Sequence, residues 1–109
     1  MMTLPTFSGK PKKPKKLLMI RRIVGDSMSP ALASGQIIIA SSLFINPRPG
    51  QVLIFYHDGK EKIKRVESVM DNRIFFIGDN PDRSTDSRYF GWVDNEHVLA
   101  KVILPKVHT

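Results

Sequence analysis

The sequence predicts a small, mostly β domain, built as a folded-over antiparallel sheet or a partly closed barrel with one short helix. Short runs rich in β-branched and aromatic residues recur along the chain, and clusters of Gly, Pro, Asn and Asp separate them. Helical periodicity is almost absent. The 109 residues are enough for one domain with a single modest core.

The predicted elements follow one another in short segments. Six runs are predicted as strands: Met19–Val24, Ile37–Ala40, Val52–Tyr56, Ile63–Val69, Arg73–Ile77 and Val98–Leu104. Between the third and fourth runs, Asp58-Gly59 predicts a tight hairpin, because both central positions of such a turn need positive φ. Ser27–Ser34, with Pro30 near its start, is predicted as a helix of about two turns at most.

The net charge of +7 belongs to the N-terminal segment rather than to the domain. The first 22 residues contain seven lysine and arginine side chains and no acidic one, whereas residues 23–109 contain ten of each sign. We therefore divide the chain into a basic tail expected to be disordered, residues 1–18, and a domain, residues 19–109. The tail is expected to be a solubilising arm or to contact an acidic surface. Specific nucleic-acid binding is not predicted, because no aromatic side chains alternate with the lysines.

Composition also disfavours several classes of protein. The absence of cysteine removes disulfides, thiolate metal sites and a cysteine nucleophile. The longest apolar runs fall short of the ~20 residues that a membrane-spanning helix requires, and the N-terminus lacks the apolar core of a secretory signal. We therefore expect a cytoplasmic protein without a transmembrane segment, and we predict neither a cofactor nor a metal site.

The residues allow one further chemistry, a serine nucleophile that is activated by a lysine base. His57, His97 and His108 show no metal-ligand spacing and lie in segments predicted to be at the surface. A serine is activated when a base takes its proton, and a lysine does so only when neutral, which requires an apolar setting. Lys64 lies inside a predicted strand and can face inward, although composition alone favours an exposed lysine there. Ser27 is equally compatible with a turn, a helix cap or a nucleophile.

A polar loop, GDNPDRSTDSR at residues 78–88, follows directly on an apolar strand. Its density of hydrogen-bonding side chains favours an internally bonded structure. Asp79 and Asn80 can bond their own backbone two residues on, and Asp86 and Arg88 can pair with groups on either side. A structural scaffold loop and a loop that lines a site both fit this composition.

Three segments together resemble the S26 serine peptidases, the type I signal peptidase family. The segment GDSMSPAL at 25–32 resembles the nucleophile motif, and IKRV at 63–66 resembles the general-base motif. The segment GDN…STDSRYFG at 78–91 resembles the C-terminal motif. They occur in the family's order, and the resemblance implies the fold of the signal-peptidase catalytic core.

The resemblance also implies roles for individual residues. It makes Ser27 the nucleophile, Lys64 the general base and the Ser27 backbone N–H an oxyanion-hole donor. Some family members add a side-chain hydroxyl two positions before the nucleophile, where this chain has Gly25. Further residues are expected around the site: Ser84 as the hydrogen-bond partner of the base, Asp86 and Arg88 as the pair that orders the loop, and Met28, Ile23 and Val24 along the substrate groove.

Within the family, the motifs are most similar to those of proteases that mature nickel-type superoxide dismutase. That similarity implies a precursor polypeptide as partner, the nickel superoxide dismutase proenzyme, from which an N-terminal leader is removed. The alternatives are signal-peptidase-like processing of secreted precursors at the membrane, an autoproteolytic repressor core and a non-catalytic peptide-binding β-domain. Repressor cores lack the GDN…DSR segment, and the intact Ser27 and Lys64 count against a non-catalytic domain.

Overall fold

The computed structural model describes residues 17–107, whose strands form one antiparallel sheet. Residues 1–16 and 108–109 lie outside the described residues, and so do the expectations for residues 1–16 of the basic tail and for His108. Leu18, which was expected in the tail, begins the first strand. The strands are β1 Leu18–Arg22, β2 Ile37–Ser41, β3 Val52–His57, β4 Lys60–Met70, β5 Arg73–Ile77, β6 Val93–Asp94 and β7 Val98–Leu104. The helix α1 spans Ser87–Phe90, and 3-10 turns cover Pro81–Arg83 and Asn95–His97.

The seven strands lie in the order β1-β2-β7-β3-β4-β5-β6, and every neighbouring pair is antiparallel. The prediction of a mostly β, antiparallel fold with one short helix is therefore confirmed. The sheet is not closed into a barrel. Within residues 17–107, no helix has the length and apolar character needed to cross a membrane.

Two apolar cores lie on opposite faces of the sheet, and both include residues of β3. Val52 and Ile54 belong to the first core, together with residues of β1, β2 and β7. Leu53 and Phe55 belong to the second core, where the Phe55 ring stacks on Phe76 with 3.9 Å between the ring centroids. Because both faces of β3 are covered, this stretch of sequence is apolar without alternation.

The β3–β4 hairpin fixes the face on which Lys64 lies. Its turn has positive φ at Asp58 (52°) and Gly59 (73°), as the sequence predicted. In the resulting register Lys64 is opposite Leu53. Directly opposite residues of an antiparallel pair share a face of the sheet, so Lys64 points to the side of the second core.

The prediction of a helix over Ser27–Ser34 is wrong, because this segment consists of turns. A helix would use the Ser27 carbonyl to accept a bond from the Ala31 N–H. Instead, the Ser27 carbonyl accepts a bond from the Asn80 N–H at 2.8 Å. A tertiary contact thus takes the acceptor that the first helical turn would need.

Candidate active site

Ser27 and Lys64 lie side by side, although 37 positions separate them in the chain. The Lys64 Nζ donates a hydrogen bond to the Ser27 Oγ at 2.7 Å. Lys64 is only 7% exposed, whereas composition alone favoured an exposed lysine. This distance falls within the ~2.6–3.2 Å that proton transfer between a base and a nucleophile requires.

Burial lowers the pKa of Lys64, because it removes the ammonium group from water. The positive charge of Lys62 lowers this pKa further, whereas the carboxylate of Asp86 acts in the opposite direction. A lowered pKa increases the fraction of Lys64 that is neutral near pH 7. Only the neutral amine can accept a proton from a serine hydroxyl.

The segment between β1 and β2 presents Ser27 in a turn that is closed at its base. The Ile23 N–H donates to the Gln36 carbonyl, and the Gly35 N–H donates to the Ile23 carbonyl, both at 2.8 Å. Gly25 has a φ of 86°, in the left-handed region that favours glycine. Position 25 therefore supplies no side-chain donor to an oxyanion.

The loop after β5 packs directly against the Ser27 backbone. Besides the Asn80 bond to the Ser27 carbonyl, Gly78 approaches the same group so closely that an added Cβ would lie 2.7 Å from its oxygen. That Cβ would also overlap the side chain of Ser84. Only glycine fits at position 78, and the loop therefore forms a wall behind Ser27 as well as an internal scaffold.

Asp86 is the centre of the hydrogen bonds inside this loop. Its carboxylate is fully buried and accepts bonds from the Gly78 N–H and the Ser84 hydroxyl, both at 2.8 Å, and from the backbone and guanidinium of Arg88. Burial alone would raise the pKa of Asp86, but the hydrogen bonds from Arg88, Gly78 and Ser84 outweigh it and lower the pKa to about 2. Asp86 and Arg88 thus bind each other and hold the loop together.

The structure gives Ser84 a different partner from the one that the resemblance implies. Within residues 17–107, its hydroxyl bonds Asp86 rather than Lys64. The effect of this loop on the base comes from the charge of Asp86, which raises the pKa of Lys64. The neighbouring Ser87 is also buried and accepts a bond from the Phe76 N–H at 2.8 Å, a contact that the sequence analysis did not identify.

An ion pair missed by the sequence analysis joins the base motif to the loop. The Arg65 Nε and Nη2 donate to the two carboxylate oxygens of Asp79 at 2.7 and 2.8 Å. Its Nη1 donates to the Gly50 carbonyl at 2.7 Å. The sequence allowed Asp79 to bond its own backbone, and in the structure its carboxylate binds Arg65. Strand alternation, which places Arg65 and Lys64 on opposite faces, is the signal from which a separate partner for Arg65 could have been inferred.

A cleft of about 320 Å³ opens at the Ser27–Lys64 pair, between β1 and the first half of β4. The three residues expected along the groove, Ile23, Val24 and Met28, all line it. Ile23 and Met28 are also part of the first core, whereas Val24 is 87% exposed. Only Val24 therefore offers most of its side chain to a bound molecule.

The histidines described by the structure lie elsewhere. His57 and His97 are half-buried and line a second cleft of about 380 Å³. No histidine among residues 17–107 lines the cleft that contains Ser27. His97 and the exposed side chains of Asp94 and Glu96 have potential metal-ligand atoms within 4.8 Å of one another, a common arrangement of surface residues.

In this arrangement, a serine hydroxyl bonded to a buried lysine of lowered pKa lies beside an open cleft, where a lysine base could activate the serine. Comparison with known proteins gives two similarities. Residues 59–107 match the family model described as Signal peptidase, peptidase S26. The matched segment contains Lys64, Ser84, Asp86 and Arg88, and Ser27 precedes it.

A curated relative agrees with this match. A segment of 46 residues, 42% of the chain, is 44% identical to a protein named Signal peptidase I from Buchnera aphidicola subsp. Schizaphis graminum (strain Sg). The aligned segment covers 15% of that protein. Both findings are similarities to signal peptidases over less than half of this chain, and neither distinguishes a substrate.

Proposed function

We propose that this protein is an S26-type serine endopeptidase in which Ser27 is the nucleophile and Lys64 is the general base. The observation that carries the proposal is the 2.7 Å hydrogen bond between the Lys64 Nζ and the Ser27 Oγ. The burial of Lys64, the lowered pKa of its amine and the open cleft support it.

In the proposed reaction, the Ser27 Oγ attacks the scissile carbonyl carbon while neutral Lys64 takes the hydroxyl proton. The negative charge that develops on the carbonyl oxygen is stabilised by the Ser27 backbone N–H. When the tetrahedral intermediate collapses, the C–N bond breaks and the Lys64 ammonium protonates the leaving amine. Neutral Lys64 then takes a proton from water, whose oxygen attacks the acyl-enzyme carbonyl carbon. The bond between that carbon and the Ser27 Oγ breaks, the Lys64 ammonium returns the proton to the Ser27 Oγ, and the new carboxylic acid ionises.

An unpaired strand edge beside the pair offers a place for an extended peptide. The N–H and carbonyl of Val66 both bond residues 50–51, on the β3 side of β4. The N–H and carbonyl groups of successive residues point alternately to the two sides of a strand. Those of Glu61 and Ile63 therefore point away from β3. β5 pairs with β4 only from Arg65 onward, so no strand of residues 17–107 covers that edge. We infer that a substrate segment binds there by adding a strand.

The finer proposal is that the substrate is a precursor protein with an N-terminal leader, and specifically the nickel superoxide dismutase proenzyme. The resemblance of the GDN…STDSR segment to that of the maturation proteases supports this choice. An open cleft and an unpaired edge fit a leader that is extended when it is cut.

Cleavage of the proenzyme tests the proposal directly. Wild-type protein is incubated with it, and the product's N-terminus is sequenced. We expect Ser27→Ala to abolish cleavage and Lys64→Met to reduce it about 10²–10⁴-fold, the usual contribution of a general base. Lys60→Met, on the same strand but exposed, is the matched control and should cleave normally. Undiminished cleavage by Ser27→Ala or Lys64→Met would remove the pair from the mechanism.

Two other functions give different results in the same experiment. A membrane-associated processing enzyme would cut a secretory precursor in liposomes rather than the proenzyme, and high salt would release it from anionic vesicles. A non-catalytic peptide-binding domain would cut neither substrate, and the Ser27→Ala variant would bind a precursor as well as the wild type does.

A further inference from the structure

The cleft beside Ser27 carries more positive than negative charge. Apart from Lys64, three cationic side chains line it, Arg21, Arg22 and Lys62, and one anionic side chain, Glu61. Glu61 is already bound by Arg21, whose Nε and Nη2 donate to its two carboxylate oxygens at 2.8 and 3.0 Å. Two positive charges, those of Arg22 and Lys62, therefore remain without an acidic partner among the described residues that line the cleft.

These two charges belong to different strands. Arg22 ends β1, and its Nη1 donates to the Gly35 carbonyl at 2.9 Å, which fixes the guanidinium beside the turn that presents Ser27. Lys62 lies on β4, two positions before Lys64 and on the same face, with its ammonium 5.7 Å from the centre of the Phe90 ring. Neither contact neutralises the charge, since a carbonyl and an aromatic ring carry none.

A peptide bound along the β4 edge would lie in the cleft that Arg22 and Lys62 line. An acidic side chain near the scissile bond would be attracted by both, whereas a basic one would be repelled. Ion pairs in partly exposed sites are weak, so two of them acting together give a preference of about threefold.

We propose that the cleft selects peptide segments with an acidic side chain close to the scissile bond, through Arg22 on β1 and Lys62 on β4. This inference rests on the proposed peptidase function, because it concerns the substrate of the same site. It assigns Arg22 and Lys62 as specificity determinants that contact the substrate without taking part in bond breaking.

The test is a cleavage-site profile on a mixture of peptides from a digested proteome, read by mass spectrometry at low ionic strength. Cuts that also occur with Ser27→Ala are subtracted as background. We expect Asp and Glu to be enriched about threefold near the cuts, and we expect Arg22→Glu and Lys62→Glu each to weaken or reverse that enrichment. Lys60→Glu changes the net charge equally, from the same strand but outside the cleft lining, and should leave the enrichment intact.

The enrichment compares peptides cut by one enzyme, so a changed pKa of Lys64 in Lys62→Glu affects all peptides alike. Ser27-dependent cuts with no acidic enrichment, or an enrichment that both cleft variants retain, would overturn the specificity and leave the peptidase function standing. An absence of any Ser27-dependent cut in the mixture and in the proenzyme would overturn both.

Discussion

At the scale of single residues, Lys64 shows how a fold can make a lysine useful as a base. The hairpin register turns its side chain toward an apolar core, and the hydrogen bond to Ser27 gives its nitrogen a partner there. Desolvation and the charge of Lys62 lower the pKa, and Asp86 limits the effect. The protonation of Lys64 is thus set by neighbours that can be removed one at a time.

Lys62→Gln is expected to move the pH dependence of cleavage to higher pH. Activity should rise with pH as Lys64 becomes neutral, and this rise should occur below the ~10.4 of a free lysine, because the pKa is lowered. Loss of the Lys62 charge removes one cause of the lowering, so the pKa of Lys64 rises. The measurement is kcat/KM against pH with an uncharged peptide.

The control for this prediction is Lys60→Gln, which removes the same charge from an exposed position nearer the hairpin turn. It should leave the profile close to that of the wild type. Superimposable profiles for wild type and Lys62→Gln would show that Lys62 does not act on the titrating base.

At the scale of elements, the loop between β5 and α1 is held by one buried carboxylate. Asp86 accepts from a glycine amide, a serine hydroxyl and an arginine, and it also caps the N-terminus of α1 through the Arg88 N–H. Through Gly78 and Asn80 the same loop fixes the backbone of Ser27. The loop thus links the stability of the domain to the position of the nucleophile.

Asp86→Asn is expected to lower the free energy of unfolding at pH 7 by about 2–4 kcal/mol, because buried donors and the Arg88 charge lose their anionic partner. The pKa of Asp86 is about 2 when folded and ~3.9 in an unfolded chain, so its charge stabilises the fold above about pH 4. That stabilisation is lost as the pH falls toward 2. The variant should therefore show a weaker loss of stability between pH 4 and pH 2.

Urea unfolding at several pH values measures both effects. Asp82→Asn, exposed in the same loop, is the matched control and should change stability by less than ~0.5 kcal/mol. If Asp86→Asn and Asp82→Asn unfolded alike at pH 7, the carboxylate would not be what holds the loop.

Sequence reasoning located the elements that local chemistry determines. β5 and β7 have the predicted bounds, and the Asp58-Gly59 turn forms as expected, because β-branched runs and positive-φ turn residues act over a few positions. The short strand β6 was missed, since Val93–Asp94 is too brief to show a pattern. The 27–34 segment was misassigned because its conformation depends on Asn80, which lies more than 45 positions away.

The candidate site could be predicted only in part for the same reason. Family resemblance predicted that Ser27 and Lys64 act together. Alternation along β4 alone did not decide whether the Lys64 side chain is buried or exposed. The contact between Arg65 and Asp79 and the choice of Asp86 as the partner of Ser84 depend on how the loop folds back. No local sequence pattern predicts those two contacts.

At the scale of the whole molecule, residues of β1 and β4 line the same cleft, although β2, β7 and β3 lie between these strands in the strand order. The bidentate contact of Arg21 with Glu61 bridges these two strands across the cleft. One extended chain inserted between two strands needs a gap of ~10 Å, and two long side chains are suited to bridging such a gap. The ion pair is therefore placed to set the width of the cleft.

Arg21→Ala or Glu61→Ala is expected to raise the KM for an uncharged peptide about threefold, with kcat and the free energy of unfolding little changed. The side chains are 39% and 29% exposed, and pairs in such settings contribute ~0.2–1 kcal/mol. The double variant Arg21→Glu with Glu61→Arg rebuilds the bridge with reversed polarity and the same net charge, so it should restore KM. Steady-state kinetics of the four proteins at low and high salt provide the measurement, and high salt should shrink the differences. A reversed pair that binds no better than either single variant would show that β1 and β4 keep their separation without this contact.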